Sequence, residues 1–258
     1  MTQAAIVERL LEAWRSGRLD DADLPAAGLG LDDGLALQLE LLERLRAQGE
    51  QLGGWKVGLT SGTALDRMGT GFRPFGFILA DRIFASGDRA PLAGGPDSVE
   101  GELCFRLGEP VAGGDVTPDD VRRAVCAPGG AVAAGLELND RGRYTGDVAA
   151  LSIAANMTNW GIVVGDAISP VPAGIDLDDL HVRLEQDGRE VGSQSARGHI
   201  DDHFLSLSRL VRQLARFGRG LEAGQHVITG AFVRTRVTGP TRVEAEFSGI
   251  GRAAIEIG

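Results

Sequence analysis

The spacing of apolar positions changes character at about residue 50. Before it the period is helical. Ile6, Val7, Leu10, Leu11 and Trp14 recur on one face, with Gly17 placed to end the run, and Leu35, Leu39, Leu42 and Leu45 follow Asp32 and Asp33 as far as Gly49. The Asp-, Pro- and Gly-bearing segment Asp20–Gly30 reads as the connector. From Gly53 onward short β-like runs take over, at 55–59, 76–79, 102–107, 132–138, 160–164, 181–186, 189–192, 226–229, 242–247 and 253–257. Asp187-Gly188, between two of these runs, is a hairpin signal. Two helices interrupt the series. One opens with Thr117 as N-cap, Pro118 and two aspartates in its first turn; the other spans Asp202 to Phe217 and closes at Gly218. Strands and helices do not alternate strictly, which argues against a doubly wound parallel sheet. The pattern predicts an α+β fold: a mixed, curled β-sheet (sandwich or roll) in a main domain over 53–258, with a helical N-terminal subdomain over 1–52.

Composition narrows the function. The 258 residues carry a formal charge of −10 and no basic arm, which excludes nucleic acid as a partner. An anionic small molecule would need a metal or a local cationic pocket. Early acids and the lack of a long apolar run leave neither signal peptide nor membrane span, and Cys104 and Cys126, without metal-type spacing, read as reduced core thiols; a cytoplasmic protein is expected. There is no Gly-x-Ser-x-Gly elbow and no His-Glu-x-x-His motif, and the Gly69–Pro74 segment lacks a phosphate-loop lysine.

The stretch Val99–Phe105 holds the strongest chemistry. As a strand it sends Glu100 and Glu102 to one face and Val99, Leu103 and Phe105 to the other. Two adjacent carboxylates either face solvent or share a hard, oxygen-seeking cation, since like charges side by side raise a pKa. Glu137, in the apolar run Ala134–Leu138, either completes three oxygen ligands or pairs with an arginine such as Arg141. Lys56 is the only lysine among 26 basic residues and lies in the apolar run Trp55–Leu59. A compact ammonium can shuttle a proton where a guanidinium cannot, so this position reads as functional. Asp81 is placed either to orient Lys56 or to end its strand. His199, Asp201, Asp202 and His203 form an acid–histidine cluster at a helix start, where an Asp is more simply an N-cap. Asp140, Arg141 and Arg143 either bind a substrate carboxylate or are solvated loop charges, and Gly69–Pro74 is either a lid or a plain loop.

Lys56-Val57-Gly58-Leu59-Thr60-Ser61, Glu100-Gly101-Glu102, Leu136-Glu137, Asn156–Gly165, Ile228-Thr229-Gly230-Ala231 and Gly249-Ile250-Gly251 carry a family resemblance. In this order and at these separations the chain resembles the fumarylacetoacetate hydrolase superfamily, in the branch of 2-keto-4-pentenoate hydratases and 4-oxalocrotonate decarboxylases. The resemblance implies Mg2+ or Mn2+ held by Glu100, Glu102 and Glu137, and Lys56 as the catalytic or substrate-binding cation. It implies Ser61, Asn156, Thr229 and Gly230 beside a small 2-oxo acid, and a homo-oligomer. The expected activity is hydration of a 2-hydroxy-dienoic acid. The alternatives are decarboxylation, C–C hydrolysis of an acylpyruvate, or a degenerate member that binds without turnover. Where hydratases of the branch read Asp-Asn-Ala-Ser, this chain has Ala155-Asn156-Met157-Thr158.

Overall fold

The computed structural model describes residues 2–19 and 28–258, so most of the expected connector, 20–27, lies outside the described residues. The helices form where their signals stand. α1 (Gln3–Ser16) starts at Thr2, whose hydroxyl accepts the Ala5 N–H, and stops at Gly17 in the left-handed region with φ 80°. α2 (Leu31–Ala47) carries Asp32 and Asp33 in its first turn, where the helix dipole favours them. α3 (Pro118–Cys126) opens with a reciprocal Thr117–Asp120 capping box. α4 (Ala149–Ala154) has no counterpart among the expected elements, because six residues are too few to display a helical period. α5 (His203–Ala215) is N-capped by Asp202, whose carboxylate accepts the Leu205 N–H.

The strands are β1 (Leu52–Val57), β2 (Phe75–Leu79), β3 (Ile83–Ala85), β4 (Arg89–Ala90), β5 (Ser98–Arg106), β6 (Ala131–Asn139), β7 (Asn159–Ile168), β8 (His181–Gln186), β9 (Arg189–Ser195), β10 (His226–Thr229), β11 (Arg234–Arg236), β12 (Thr241–Phe247) and β13 (Gly251–Ile257). They build two sheets. The larger runs β2-β1-β10-β5-β6-β7-β3 with β11 added to β5, and the smaller runs β4-β13-β12-β8-β9. Pairing is mostly antiparallel; β1–β10, β3–β7 and β4–β13 are the parallel exceptions, as a mixed α+β fold requires. Asp187 (φ 51°) and Gly188 (φ 74°) make the β8–β9 turn.

Register assigns each side chain of the large sheet to a face. Trp55, Val227, Phe105 and Val132 align across β1, β10, β5 and β6, and the next row is Lys56, Ile228, Cys104 and Ala133. The first row points to the outer face, where Phe105 meets Phe204 of α5 and, further along, Phe77 of β2 meets Trp14 of α1 at 5.2 Å. The small sheet packs on the same side: a Cβ on Gly101 would already touch Val182 and Ala245. The second row points into the curl of the sheet, where Ile78, Cys104, Ala133, Ile162 and Ile228 form a separate buried cluster. Cys104 is therefore the inert core thiol expected, its pKa pushed up to about 12 by burial, whereas Cys126 is only half-buried.

The N-terminal helices share one continuous apolar cluster with the sheets, from Ile6 to Ile257. Their polar tie is Gln38 of α2, fully buried, whose amide donates to the carbonyls of Phe75 (2.9 Å) and Ile153 (2.6 Å). Among the described residues no helix is long and apolar enough to cross a membrane. Gln38→Ala strands two buried carbonyls and should cost about 1–3 kcal/mol in urea unfolding; a loss within error of zero would show that these bonds do not fasten α2 to the sheet.

Candidate active site

β5 and β6 run antiparallel in the middle of the large sheet, with Glu100 directly opposite Glu137 and Glu102 opposite Gly135. The alternation that sends Gly101 to the outer face sends both β5 carboxylates inward, beside that of β6. One oxygen from each of the three lies within 4.8 Å of the others, and the residues are only 5 %, 4 % and 2 % exposed. Burial raises the pKa of Glu100, and repulsion by Glu137 adds to it, while Arg234 and Lys56 pull the other way. Glu102 is raised well above the usual range, first by burial and then by the charges of Glu137 and Glu100.

Two cations from neighbouring strands offset part of this charge. Lys56 on β1, 7 % exposed, places Nζ 2.8 Å from Glu137 Oε1 and donates to the Met157 carbonyl at 2.8 Å. Arg234 on β11 pairs with Glu100 through its guanidinium. Glu137 accepts in addition from Asn159 Nδ2 at 2.9 Å. It is thus neither on an edge strand nor paired with Arg141. Two cations against three carboxylates leave the cluster short of positive charge. Three hard oxygen donors buried side by side suit Mg2+ or a similar divalent ion, which would remove the repulsion.

The walls come from loops at the same end of the sheet. They follow β1 (58–68), β6 (Arg141) and β10 (Ala231), and precede β7 (146–158), enclosing a cavity of about 450 Å³. Met157 reaches Lys56 because Asn156, Met157 and Thr158 all adopt positive φ (67°, 51° and 64°), and Leu59 on the facing wall does the same at 59°. A non-glycine backbone holds such angles only where its surroundings over-determine them. Here Asn156 does so: its carboxamide accepts from the Phe77 N–H (2.8 Å) and donates to the Phe77 carbonyl (3.0 Å), acting as a further strand on the open edge of β2. Gly76 makes the room, since a Cβ there would come within 3.0 Å of the Lys56 chain and 3.1 Å of Asn156 Oδ1.

Lys56, Glu100, Glu102, Glu137 and Ser61 thus all line the cavity. Four other expectations are corrected. Asp81 lies in an exposed turn, its nearest cationic partner Arg82 at 3.9 Å. Gly76 is the residue opposite Lys56, which puts Asp81 roughly 15 Å away along β2. Thr229 has the parity of Val57 and Leu103 and points to the outer face. Gly230 faces His203 and Ile200, each of which a Cβ there would approach to 2.9 Å. Asn156 is fully buried and spent on the backbone, so it positions the wall without reaching the cavity. The acid–histidine cluster makes no dyad: Asp202 caps α5, Asp201 holds Arg73 and Arg209, and His199 Nε2 faces the Ala231 carbonyl. Gly69–Pro74 is pinned by buried Arg73 to Asp66 (2.7 Å) and Asp201 (3.0 Å), as a fastened loop and not a lid. Arg234, Arg67, Asn139 and the Met157 carbonyl escape the sequence reading. Arg234 meets Glu100 through a three-residue strand pairing 134 positions away, which no local period announces.

Because the folded state holds the Glu102 proton more tightly than the unfolded chain does, metal-free stability falls as pH rises from the ordinary carboxylate range through the raised value. Metal-free Glu102→Gln should therefore melt above the parent at about pH 8, the gap closing toward about pH 5. Added Mg2+ should reverse the order, by circular-dichroism melts. A variant that melts lower than the parent at the higher pH without metal would refute the like-charge account.

No family model matches the chain. It is 25 % identical over 230 residues to the 2-keto-4-pentenoate hydratase of Paraburkholderia xenovorans, covering 88 % of this chain and 84 % of the relative. It is 29 % identical over 234 residues to a 4-oxalocrotonate decarboxylase of a Pseudomonas species, covering 90 % and 88 %. Among solved structures, 4-oxalocrotonate decarboxylase from Pseudomonas putida, complexed with magnesium and adipate, superposes with a TM-score of 0.86 at 21 % identity, covering 100 % of this chain and 98 % of that one. The chain is thus similar over most of its length to 2-keto-4-pentenoate hydratases and 4-oxalocrotonate decarboxylases, and it shares a fold with a fumarylacetoacetate hydrolase of Exiguobacterium antarcticum, at a TM-score of 0.59 and 17 % identity over 81 % of this chain and 75 % of that one.

Proposed function

We propose that the protein is a divalent-metal-dependent lyase that adds water to a small 2-oxo-enoic acid, entering as its 2-hydroxy-dienoic tautomer, with 2-hydroxypenta-2,4-dienoate as the simplest case. The observation that carries this reading is the single lysine of the chain held against a buried three-carboxylate cluster on the floor of a small cavity. Glu100, Glu102 and Glu137 would hold the cation, Mg2+ before Mn2+. When bound it supplies Lewis-acid stabilisation of charge on the 2-oxygen of a chelating substrate.

The remaining steps fall to the chain's own groups. Two of the three Lys56 N–H donors are committed, to Glu137 and to the Met157 carbonyl, which leaves one for the cavity. Fixed this way, the ammonium stands ready to deliver a proton to carbon as the dienol ketonises, and to take it back when water is activated. Ketonisation protonates C5 and leaves a 3-ene conjugated to the ketone; water then adds its oxygen to C4 and a proton to C3. Ser61, a hydroxyl on the wall, is one of the neutral groups available to hold that water. Decarboxylation is the second reading, favoured by the 29 % identical relative, and it draws on the same electron sink without needing the water. The homo-oligomer implied by the resemblance and the cytoplasmic location expected from the reduced cysteines complete the proposal, although every group named above comes from one chain.

The test is the ultraviolet decay of freshly generated 2-hydroxypenta-2,4-dienoate, with 4-oxalocrotonate in parallel, with and without Mg2+ and with excess chelator. Metal-dependent formation of 4-hydroxy-2-oxopentanoate is expected, and CO2 release from the second compound alone would move the assignment to decarboxylase. Turnover that survives the chelator would defeat the reading. Lys56→Met should lower kcat about 10²–10⁴-fold, the usual contribution of a positioned acid–base group, in protein that still binds Mg2+. Lys56→Arg should not restore it, since a guanidinium keeps its proton.

A further inference from the structure

Asn139 is the last residue of β6, two positions beyond Glu137 and on the same inward face, and it lines the cavity. That spacing is roughly 7 Å along the strand, so its side chain stands beside the carboxylate cluster. It is only 2 % exposed. Its Oδ1 accepts from Thr158 Oγ1 at 2.8 Å, while Nδ2 has no hydrogen-bond partner among the described residues. Five other buried side-chain atoms share that condition, on Gln38, Trp55, His203 and Thr229, but none of those residues lines the cavity. A donor buried without a partner destabilises the fold, which an apolar side chain of the same shape would not do.

The surroundings hold the carboxamide in place. The β6–β7 pairing slips between Leu138 and Asn139, and a bulge of this kind re-aims a side chain beside a site. The strained turn 156–158 then grips the end of β6 twice: the Thr158 hydroxyl donates to Asn139, and the Thr158 carbonyl accepts from the Asp140 N–H at 2.8 Å. With Oδ1 engaged, Nδ2 remains as a donor that carries no charge. Lys56 and Arg234 already serve the glutamates, and a neutral amide neither competes with a metal for those carboxylates nor adds to their repulsion. A 2-oxo acid that chelates through its C2 oxygen and one carboxylate oxygen leaves its second carboxylate oxygen in need of a donor.

Resting on the function proposed above, we infer that Asn139 Nδ2 donates to that second oxygen of the chelating carboxylate, which makes Asn139 a substrate-binding residue whose orientation Thr158 sets. The bond pairs a donor that the fold leaves unpaired, so it favours the complex. The carboxylate keeps its charge through the reaction, and the bond therefore acts in binding and not in the chemical step.

The test sets binding against stability. The probe is 2-oxopentanoate, which has the same chelating end and no double bond to hydrate, added in a calorimeter to the Mg2+-loaded protein. Asn139→Leu/Thr158→Val removes both partners of the side-chain bond and should bind the probe about 10-fold more weakly, the usual worth of a hydrogen bond to a charged group, with Mg2+ affinity unchanged. Without the probe, the same variant should melt at or above the parent, since it loses an unpaired donor. Thr158→Val alone keeps the donor but frees the carboxamide to turn, and should weaken the probe by a smaller factor. With the dienol substrate, the double variant should lose kcat/KM about 10-fold, carried by KM. Unchanged affinity for 2-oxopentanoate, or a melt several degrees below the parent, would overturn the role of Asn139 alone, and a loss carried by kcat would overturn its assignment to the carboxylate. Failure of the parent to bind 2-oxopentanoate with Mg2+ present would overturn the 2-oxo-acid reading and this inference with it.

Discussion

Three carboxylates forced together out of water are the constraint around which this fold is arranged. An isolated buried carboxylate costs several kcal/mol, and three in contact cannot all remain ionised without cations among them. The sheet supplies those cations from the edge of β5 that faces away from β6. β1 brings Lys56 across β10 to Glu137, and β11 lays Arg234 further along that same edge, against Glu100. Glu102 lies between them without a cation of its own, and its pKa is the one driven well above the usual range. The deficit is local and it faces the cavity, where a small hard cation can enter but a long side chain cannot. The cluster is therefore poised for a divalent ion by what the neighbouring strands leave out as much as by the ligands they provide.

Holding Lys56 in that position costs backbone strain. Three consecutive residues in the left-handed region cost on the order of 1–3 kcal/mol each. The return is the Met157 carbonyl aimed at Nζ, which fixes the ammonium between a full and a partial negative charge. Asn156 offsets the strain by pairing with both main-chain groups of Phe77, so the turn is anchored to a strand and not to a loop. Gly76 belongs to the same device, as a side chain there would push Lys56 and Asn156 apart. The departure from the hydratase motif at 155–158 leaves this framework standing, because the role of Asn156 is structural and Met157 acts through its backbone.

The sequence made the floor of the site legible and the walls mostly not, for a physical reason. Glu100, Glu102 and Glu137 are acids inside apolar runs, and Lys56 is a lone lysine in one; burial against type is visible in a linear pattern. Alternation within β5 also settles that its two carboxylates share a face. It does not settle which face of β10 belongs to which row. Thr229, one residue from the correct parity, thus reads as a site residue until the pairing of Ile228 with Lys56 and Cys104 is known. Asp81 fails because sequence nearness to a strand end says nothing of which end meets the cavity, and Gly230, just past the end of β10 that does meet it, faces His203 and Ile200 instead. Arg234 depends on a pairing between segments more than a hundred residues apart, and Arg67 on the path of a loop.

The overall charge of −10 gives the balance of charges lining the cavity its meaning. A protein this acidic offers no long-range attraction to an anionic substrate, but at physiological ionic strength the field of distant surface charges is screened beyond about 8 Å. What the substrate meets inside that distance is the cavity lining, where cations match carboxylates one for one. Recognition is then decided by charges that line the cavity and touch the ligand. An acidic exterior with an electroneutral, metal-accepting interior discriminates by contact instead of by attraction.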